Sequence, residues 1–343
     1  MGQTLTTTQF YLYGRSHFTA TGYQNHVRGY PQYVHQPDIL QSCDLSEKVF
    51  LVTGANNGVG KEITQWLYNK GATVCMVCRS EERALEAQKE IMSKSSSQPA
   101  AEHRLPIVVA DCAREGDVRS AWKTFETKSN RLDGLICNAG ALLNARTLTP
   151  EGLETTFSAH LLFGSYLLGK LAMPMLESTP DSRLIMVSSG GMYNHNFPDW
   201  DTATSAPNKA AKYDGQLAYV YAKRGQVLLA ERWGLEHPKV KTVTCHPGWT
   251  LTPGVEAAYG KSKSALEPLR SLWEGAEGIC WLAAAPASQI KSGEFYLDRQ
   301  PQTKHMAGLF GTEGWATKNS AQEVDAMMKG LELWSSESTR PKL

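Results

Sequence analysis

Residues 48–71 read KVFLVTGANNGVGKEITQWLYNKG. Val49 to Thr53 form a short apolar run rich in β-branched side chains, the pattern of a buried strand. Gly54, Gly58 and Gly60 follow, and beyond them Ile63, Trp66 and Leu67 fall at helical spacing. A strand that turns through glycines directly into a helix brings bare backbone and the positive helix end together. That is a cradle for a phosphate-bearing ligand.

The same rhythm continues outward. TVCMVCR precedes the helical EERALEAQKEIMSK, and LPIVVAD precedes DVRSAWKTFETK. LDGLICNAG runs into a loop, and RLIMVSSGG, VKTVTCHPG and GEFYLD complete the set. Near-continuous apolar strands alternating with helices predict an α/β fold, a doubly wound parallel sheet of Rossmann-like type, covered on both faces. One nucleotide-binding domain is expected over residues 47–300, with an N-terminal extension at 1–46 and a C-terminal tail at 301–343. Helical spacing in the tail falls at 320–334.

Composition narrows the function. Of 343 residues, 35 are Lys or Arg and 34 Asp or Glu, a formal net charge of +1. No basic run or patch points to nucleic acid. Seven cysteines are spread through mostly apolar runs, which reads as free thiols in a reducing compartment. Cys75 and Cys78 form a C-x-x-C, but they lie three apart on an expected strand and face opposite sides. No metal site is expected. No stretch reaches the apolar length of a membrane helix.

Two further stretches carry chemistry. After the second strand, where an acidic residue would bond the ribose of NAD, the chain has Arg79 and Ser80. A guanidinium there suits the extra phosphate of NADP(H). Residues 218–226, AYVYAKRGQ, hold Tyr219, Tyr221 and Lys223. Residues four apart share a helix face, whereas residues two apart are turned by about 200°. Tyr219 therefore faces Lys223 and is the expected acid/base, with Tyr221 a packing residue. An ammonium beside a phenol favours the phenolate.

TGANNGVG, CNAG, VSSGG, Tyr219-x-x-x-Lys223 and HPGWTLTPG stand in an order that resembles the short-chain dehydrogenase/reductase family over about residues 48–300. The resemblance implies an NADP(H)-dependent enzyme that moves a hydride to or from a carbonyl or alcohol carbon. It implies that Ser189 bonds the substrate oxygen, Tyr219 transfers the proton, and Lys223 assists it and binds ribose. Gly54, Asn56, Asn57, Gly58, Val59, Gly60, Arg79, Ser80, Asp111, Asn138, Ala139, Gly140, Pro247, Gly248 and Thr252 would complete the cofactor site.

Two features depart from the family pattern. His160, or Leu161 if the register shifts by one, stands where an active-site Asn is usual. His160 either serves a proton relay or is a core histidine. Ser189 and Tyr219 are 30 residues apart, a longer separation than in many relatives. Tyr193, Phe197 and Trp200 in the added segment either roof a lipophilic substrate or pack the loop down. With the loop after HPGWTLTPG, residues 192–215 are expected to form the pocket. The competing reading is a non-catalytic NADP-binding or scaffold protein of the same fold.

The extension begins MGQTLT, which fits M-G-x-x-x-[ST], an N-myristoylation pattern. Phe10, Tyr11, Tyr13, Phe18, Tyr23, Tyr30 and Tyr33 follow. Such aromatics either seek a membrane interface or pack on the enzyme body. Arg15, Arg28 and histidines 17, 26 and 35 supply only modest positive charge. The expected location is cytoplasmic or peripherally membrane-associated. The expected partner is a small-molecule carbonyl or alcohol, and a homo-oligomer is left open.

Overall fold

The computed structural model describes residues 2–30, 38–95, 101–204, 213–306, 314 and 317–341. Met1, Tyr33, His35 and residues 205–212 of the segment after Ser189 lie outside them.

Strands β1 (Val49–Thr53), β2 (Thr73–Cys78), β3 (Ile107–Val109), β4 (Gly134–Cys137), β5 (Arg183–Val187), β6 (Lys241–Cys245), β7 (Phe295–Leu297) and β8 (Gln300–Gln302) form one sheet. Its order is β3-β2-β1-β4-β5-β6-β7-β8. Every pairing is parallel except the antiparallel β7–β8 hairpin at the edge. The winding reverses between β1 and β4, so a crevice opens at the carboxyl ends of those strands, where ligands bind in such sheets.

The longer helices are α1 (Gly2–His17), α2 (Ala20–Arg28), α3 (Gly58–Asn69), α4 (Glu81–Ser93), α5 (Glu115–Glu126), α6 (155–178), α7 (Gly215–Glu236), α8 (Leu272–Ala284) and α9 (Ala321–Trp334). Their starts are written in the sequence as side-chain caps. Asn57 caps α3, Ser80 α4 and Asp214 α7, and Ser271 with Glu274 and Ser320 with Glu323 make capping boxes on α8 and α9.

On one face of the sheet, Ile63 and Leu67 of α3, Ile91 of α4 and Ile279 of α8 bury Val52 and Val74. On the other, Val118 of α5, Phe163 and Leu176 of α6, and Leu229 and Trp233 of α7 bury Leu51 and Leu135. Met327 and Leu331 of α9 join this second face. No helix among the described residues is long and apolar enough to cross a membrane.

A third, smaller core lies at the β7 edge and draws in the extension. Phe18, wholly buried, meets Tyr193, Trp249, Phe295 and Met306 there. Burying one such ring contributes about 2–3 kcal/mol. Of the extension's aromatics with described side chains, Tyr11 is exposed and the others are buried or half-buried on the body.

The two-residue turn between β7 and β8 places Asp298 at φ 48° and Arg299 at φ 69°. Both positions need positive φ in this kind of hairpin, and Asn-Gly usually fills them. Their side chains account for the exception. Asp298 receives a bidentate Arg270 and also His26. Arg299 binds Glu277 and reaches Asp38 at 2.6 Å.

Candidate active site

The glycine loop and three other loops meet at the crevice. Asn57 accepts the Gly58 N–H at 2.7 Å. Asn56 is half-buried, and Val59 is buried one position into α3. Gly60 has no room for a side chain, since a Cβ would lie 2.3 Å from the Gly54 carbonyl oxygen and 2.4 Å from Asn138 Nδ2. At Gly58, with φ +53°, a Cβ would meet only Thr252, at 3.6 Å. The open side of the loop thus faces Thr252 across the crevice, a cradle that a Cβ would fill.

Thr53 closes β1 onto β4. Its single hydroxyl oxygen accepts the amides of Asn138 and Ala139 at 3.0 and 2.9 Å, and the Asn138 side chain donates to its carbonyl. At the end of β2, Arg79 is exposed and Ser80 caps α4 by accepting the Arg83 N–H. Asp111, after β3, accepts the Ala113 N–H at 3.0 Å. Thr252 accepts the Val255 N–H at 3.1 Å. Pro247 lends its carbonyl to Thr250. Gly248 has φ +72°, and a Cβ there would lie 2.1 Å from Arg270 Nε.

Ser188 and Ser189 end β5 but have different surroundings. Ser188 is buried and donates to the Lys223 carbonyl at 2.9 Å. Ser189 is half-buried and accepts the Gly191 N–H at 3.1 Å, which leaves its own proton to donate. A side chain at Gly191 would stand 3.6 Å from Ser189 Oγ and 3.9 Å from the Tyr219 ring, so these two groups flank one point.

Lys223 lies under the Tyr219 ring, its Nζ 5.4 Å from the ring centre. The ammonium is wholly buried and donates to the Val187 carbonyl at 2.7 Å. Burial pushes its pKa down to about 7. Tyr221 turns elsewhere and sets its half-buried ring 5.8 Å from His195.

His160 lies in the central stretch of α6, Ser158–Leu167, where the turns widen to π type. Such turns recur at functional sites. Its ring meets Tyr219 edge-on at 5.2 Å, and Nε2 donates to the Ala141 carbonyl. Nδ1 is buried and finds no partner among the described residues. Burial and then the Lys223 charge hold its pKa well below the usual histidine value, so the ring is neutral. Its carbonyl is occupied by Gln226 and Ser165. Gly140 is required beside it, because a Cβ there would overlap the imidazole at 1.8 Å. Leu161, the alternative position, is wholly buried in the core.

Tyr193, Phe197 and Trp200, in the segment after Ser189, pack onto the body of the protein. Tyr193 is buried and donates to the Thr303 carbonyl, Phe197 enters the main core, and Trp200 packs on Phe157 and Trp334. Of the two readings, these three rings take the second and pack the segment down. Phe197 gains more from the core beside Gly225, where the helices approach too closely for any side chain. Phe10 and Phe18 stand instead around Gly190, next to Ser189, and Trp249 packs on both rings. Trp249 lies in the HPGWTLTPG stretch, the one sequence signal for this cluster.

A doubly wound sheet with a glycine cradle at its switch point, and Ser, Tyr and Lys gathered beside it, defines an oxidoreductase of the short-chain type. The chain belongs to the short-chain dehydrogenase family, whose model matches residues 48–198. Dehydrogenase/reductase SDR family member 12 of Bos taurus is 35% identical to it over 297 residues, which is 85% of this chain and 88% of that protein. Two solved structures share the fold. A 3-ketoacyl-(acyl-carrier-protein) reductase from Brucella melitensis, complexed with NADH, is 22% identical with a TM-score of 0.56, covering 74% of this chain and 96% of that one. A short-chain dehydrogenase from Escherichia coli CFT073, complexed with NADPH, is 19% identical with a TM-score of 0.58, covering 77% and 100%.

Proposed function

We propose that the chain is an NADP(H)-dependent oxidoreductase acting on lipophilic carbonyl or alcohol compounds, with Tyr219 as the acid/base. The observation that carries this reading is the buried Lys223 ammonium beneath the Tyr219 ring, with Ser189 flanking the same point. A cation sunk in the core costs stability, so its place beside a phenol speaks for chemistry rather than packing.

The cradle fits a dinucleotide. The Gly54–Gly60 loop and the start of α3 would hold the pyrophosphate. Asn138, Ala139 and Gly140 would border the ribose, Asp111 the adenine, and Pro247, Gly248 and Thr252 the nicotinamide end. Solved structures of this fold hold NADPH or NADH, so the preference rests on the end of β2. Arg79 and Ser80 there favour the 2′-phosphate. When bound, the cofactor supplies or accepts the hydride.

In reduction, Ser189 donates a hydrogen bond to the carbonyl oxygen and polarises it. Tyr219 gives its phenolic proton to that oxygen as the alcohol forms. Lys223 steadies the phenolate left behind. Oxidation runs the same transfers backward.

The test is NADPH consumption with a panel of aldehydes, ketones, retinoids and sterols. Turnover of lipophilic members is the expected result. Tight NADPH binding without turnover of any member would instead make this a non-catalytic cofactor-binding protein.

A further inference from the structure

The extension is built into the loops around Ser189. Phe10, Gly14 and Phe18 recur at the spacing of one helical face. Gly14 is needed because a Cβ would lie 2.4 Å from the Trp249 ring. Phe18 and Phe10 in turn crowd Gly190, where a Cβ would lie 2.7 and 3.1 Å from their rings. Gly190 follows Ser189 directly, and Gly191 adjoins Tyr219. The apolar face that α1 and Phe18 present thus lies one residue away from Ser189.

The end of α1 is stitched to the loop after β6. The Phe18 carbonyl accepts the Trp249 N–H at 2.7 Å. Arg270, wholly buried, spends all its donors here. Nε donates to the Phe18 carbonyl, one terminal nitrogen to the His17 carbonyl, and both terminal nitrogens to Asp298, with a further bond to the Glu274 carbonyl. These bonds close the free carbonyl end of α1 and fix its face against Gly190. The nearby charge on α1 is turned aside, since Arg15 donates to the Glu267 carbonyl at 2.7 Å.

Resting on the oxidoreductase reading above, we propose that α1 forms one wall of the substrate pocket and that Phe10 selects carbonyl compounds with an apolar ring-bearing body. Phe18 is the buried anchor of this wall, whereas Phe10 is half-buried at its open end. A flat apolar body can lie against Phe10 and Trp249 while its carbonyl oxygen meets Ser189 and Tyr219. A small polar carbonyl compound gains nothing from that wall.

The experiment compares the full chain with Phe10→Ala, Phe10→Leu and, as a control, Leu12→Ala on the exposed side of α1. Naphthaldehyde and acetaldehyde are the probes, each with NADPH. Phe10→Ala is expected to raise KM for naphthaldehyde by roughly tenfold or more. It should raise KM for acetaldehyde far less and leave the NADPH Kd unchanged, with only the modest fall in melting temperature that loss of a half-buried ring packed on Phe18 and Trp249 brings. Phe10→Leu should recover part of the loss, and Leu12→Ala should match the unmodified chain. Turnover with the naphthaldehyde KM unchanged in Phe10→Ala overturns this inference alone, as does an equal loss on both aldehydes with a lowered melting temperature. Failure of the unmodified chain to turn over either aldehyde overturns the oxidoreductase reading and this inference with it.

Discussion

Lys223 holds its ammonium 5.4 Å from the centre of the Tyr219 ring, and its hydrogen bond goes to the Val187 carbonyl rather than to a carboxylate. The relationship divides the two tyrosines of one helix, since Tyr221 rests on His195 instead.

Tyr219→Phe is therefore expected to lower kcat by at least about a hundredfold, the scale of lost proton transfer. NADPH binding, followed by fluorescence titration, should persist. Tyr221→Phe should retain most turnover. If Tyr221→Phe were the inactive variant, the assignment of the acid/base would be wrong.

The same burial predicts a pH signature. Burial pushes the Lys223 pKa down to about 7 in the folded chain, against about 10.5 for a lysine in water. Between those values the unfolded chain holds the proton and the folded one releases it, so this group makes stability rise with pH. Below pH 7 its full cost is present, and above 10.5 the cost is gone. The cofactor-free Lys223→Met variant should melt above the unmodified chain at pH 6, and the gap should close by pH 10. A gap independent of pH would show that the charge is not what costs stability. The variant should also be inactive.

Arg79 governs the cofactor prediction. The unmodified chain should show a lower KM for NADPH than for NADH, and Arg79→Asp should reverse the order. Equal KM values in the unmodified chain would remove the basis for the 2′-phosphate reading.

Asp298→Asn isolates the clamp on the extension. Asn tolerates positive φ nearly as well as Asp, so the hairpin turn should survive. What is lost is the partner of a fully buried guanidinium, a change that typically costs about 3–5 kcal/mol. Chemical denaturation should show a drop of that order. A loss below about 1 kcal/mol would mean the Arg270 charge is satisfied by carbonyls alone.

The sheet was legible because parallel strands covered on both faces are largely apolar, and β1, β2, β4 and β5 read that way over most of their length. The glycine loop and the Tyr219–Lys223 phase were legible because both depend on short-range geometry. The extension was not. The face it lays on the body is Phe10 and Gly14 of α1 with Phe18 just beyond it, and its partners Trp249 and Arg270 stand more than 200 residues away. Strand β8, QPQ, carries no apolar signal at all. His160 could be placed only to within one residue, because the widened turns of α6 break the spacing that a regular helix would keep. Tyr193, Phe197 and Trp200 look alike as a pocket roof or as core, and only the surrounding cavities decide.

The Arg270–Phe18 bond also bears on the order in which the molecule can be made. The two residues are 252 positions apart. At ordinary rates of synthesis, about 5–20 residues per second, the carbonyl end of α1 leaves the ribosome tens of seconds before its guanidinium does. Helix α1 is thus among the last elements of this chain to find its seat. Until Tyr193 and Trp249 emerge, Phe10, Tyr13 and Phe18 lack the aromatic shelf they rest on, and until Arg270 and Asp298 follow, the growing chain carries α1 as an unclamped apolar segment that chaperones can hold.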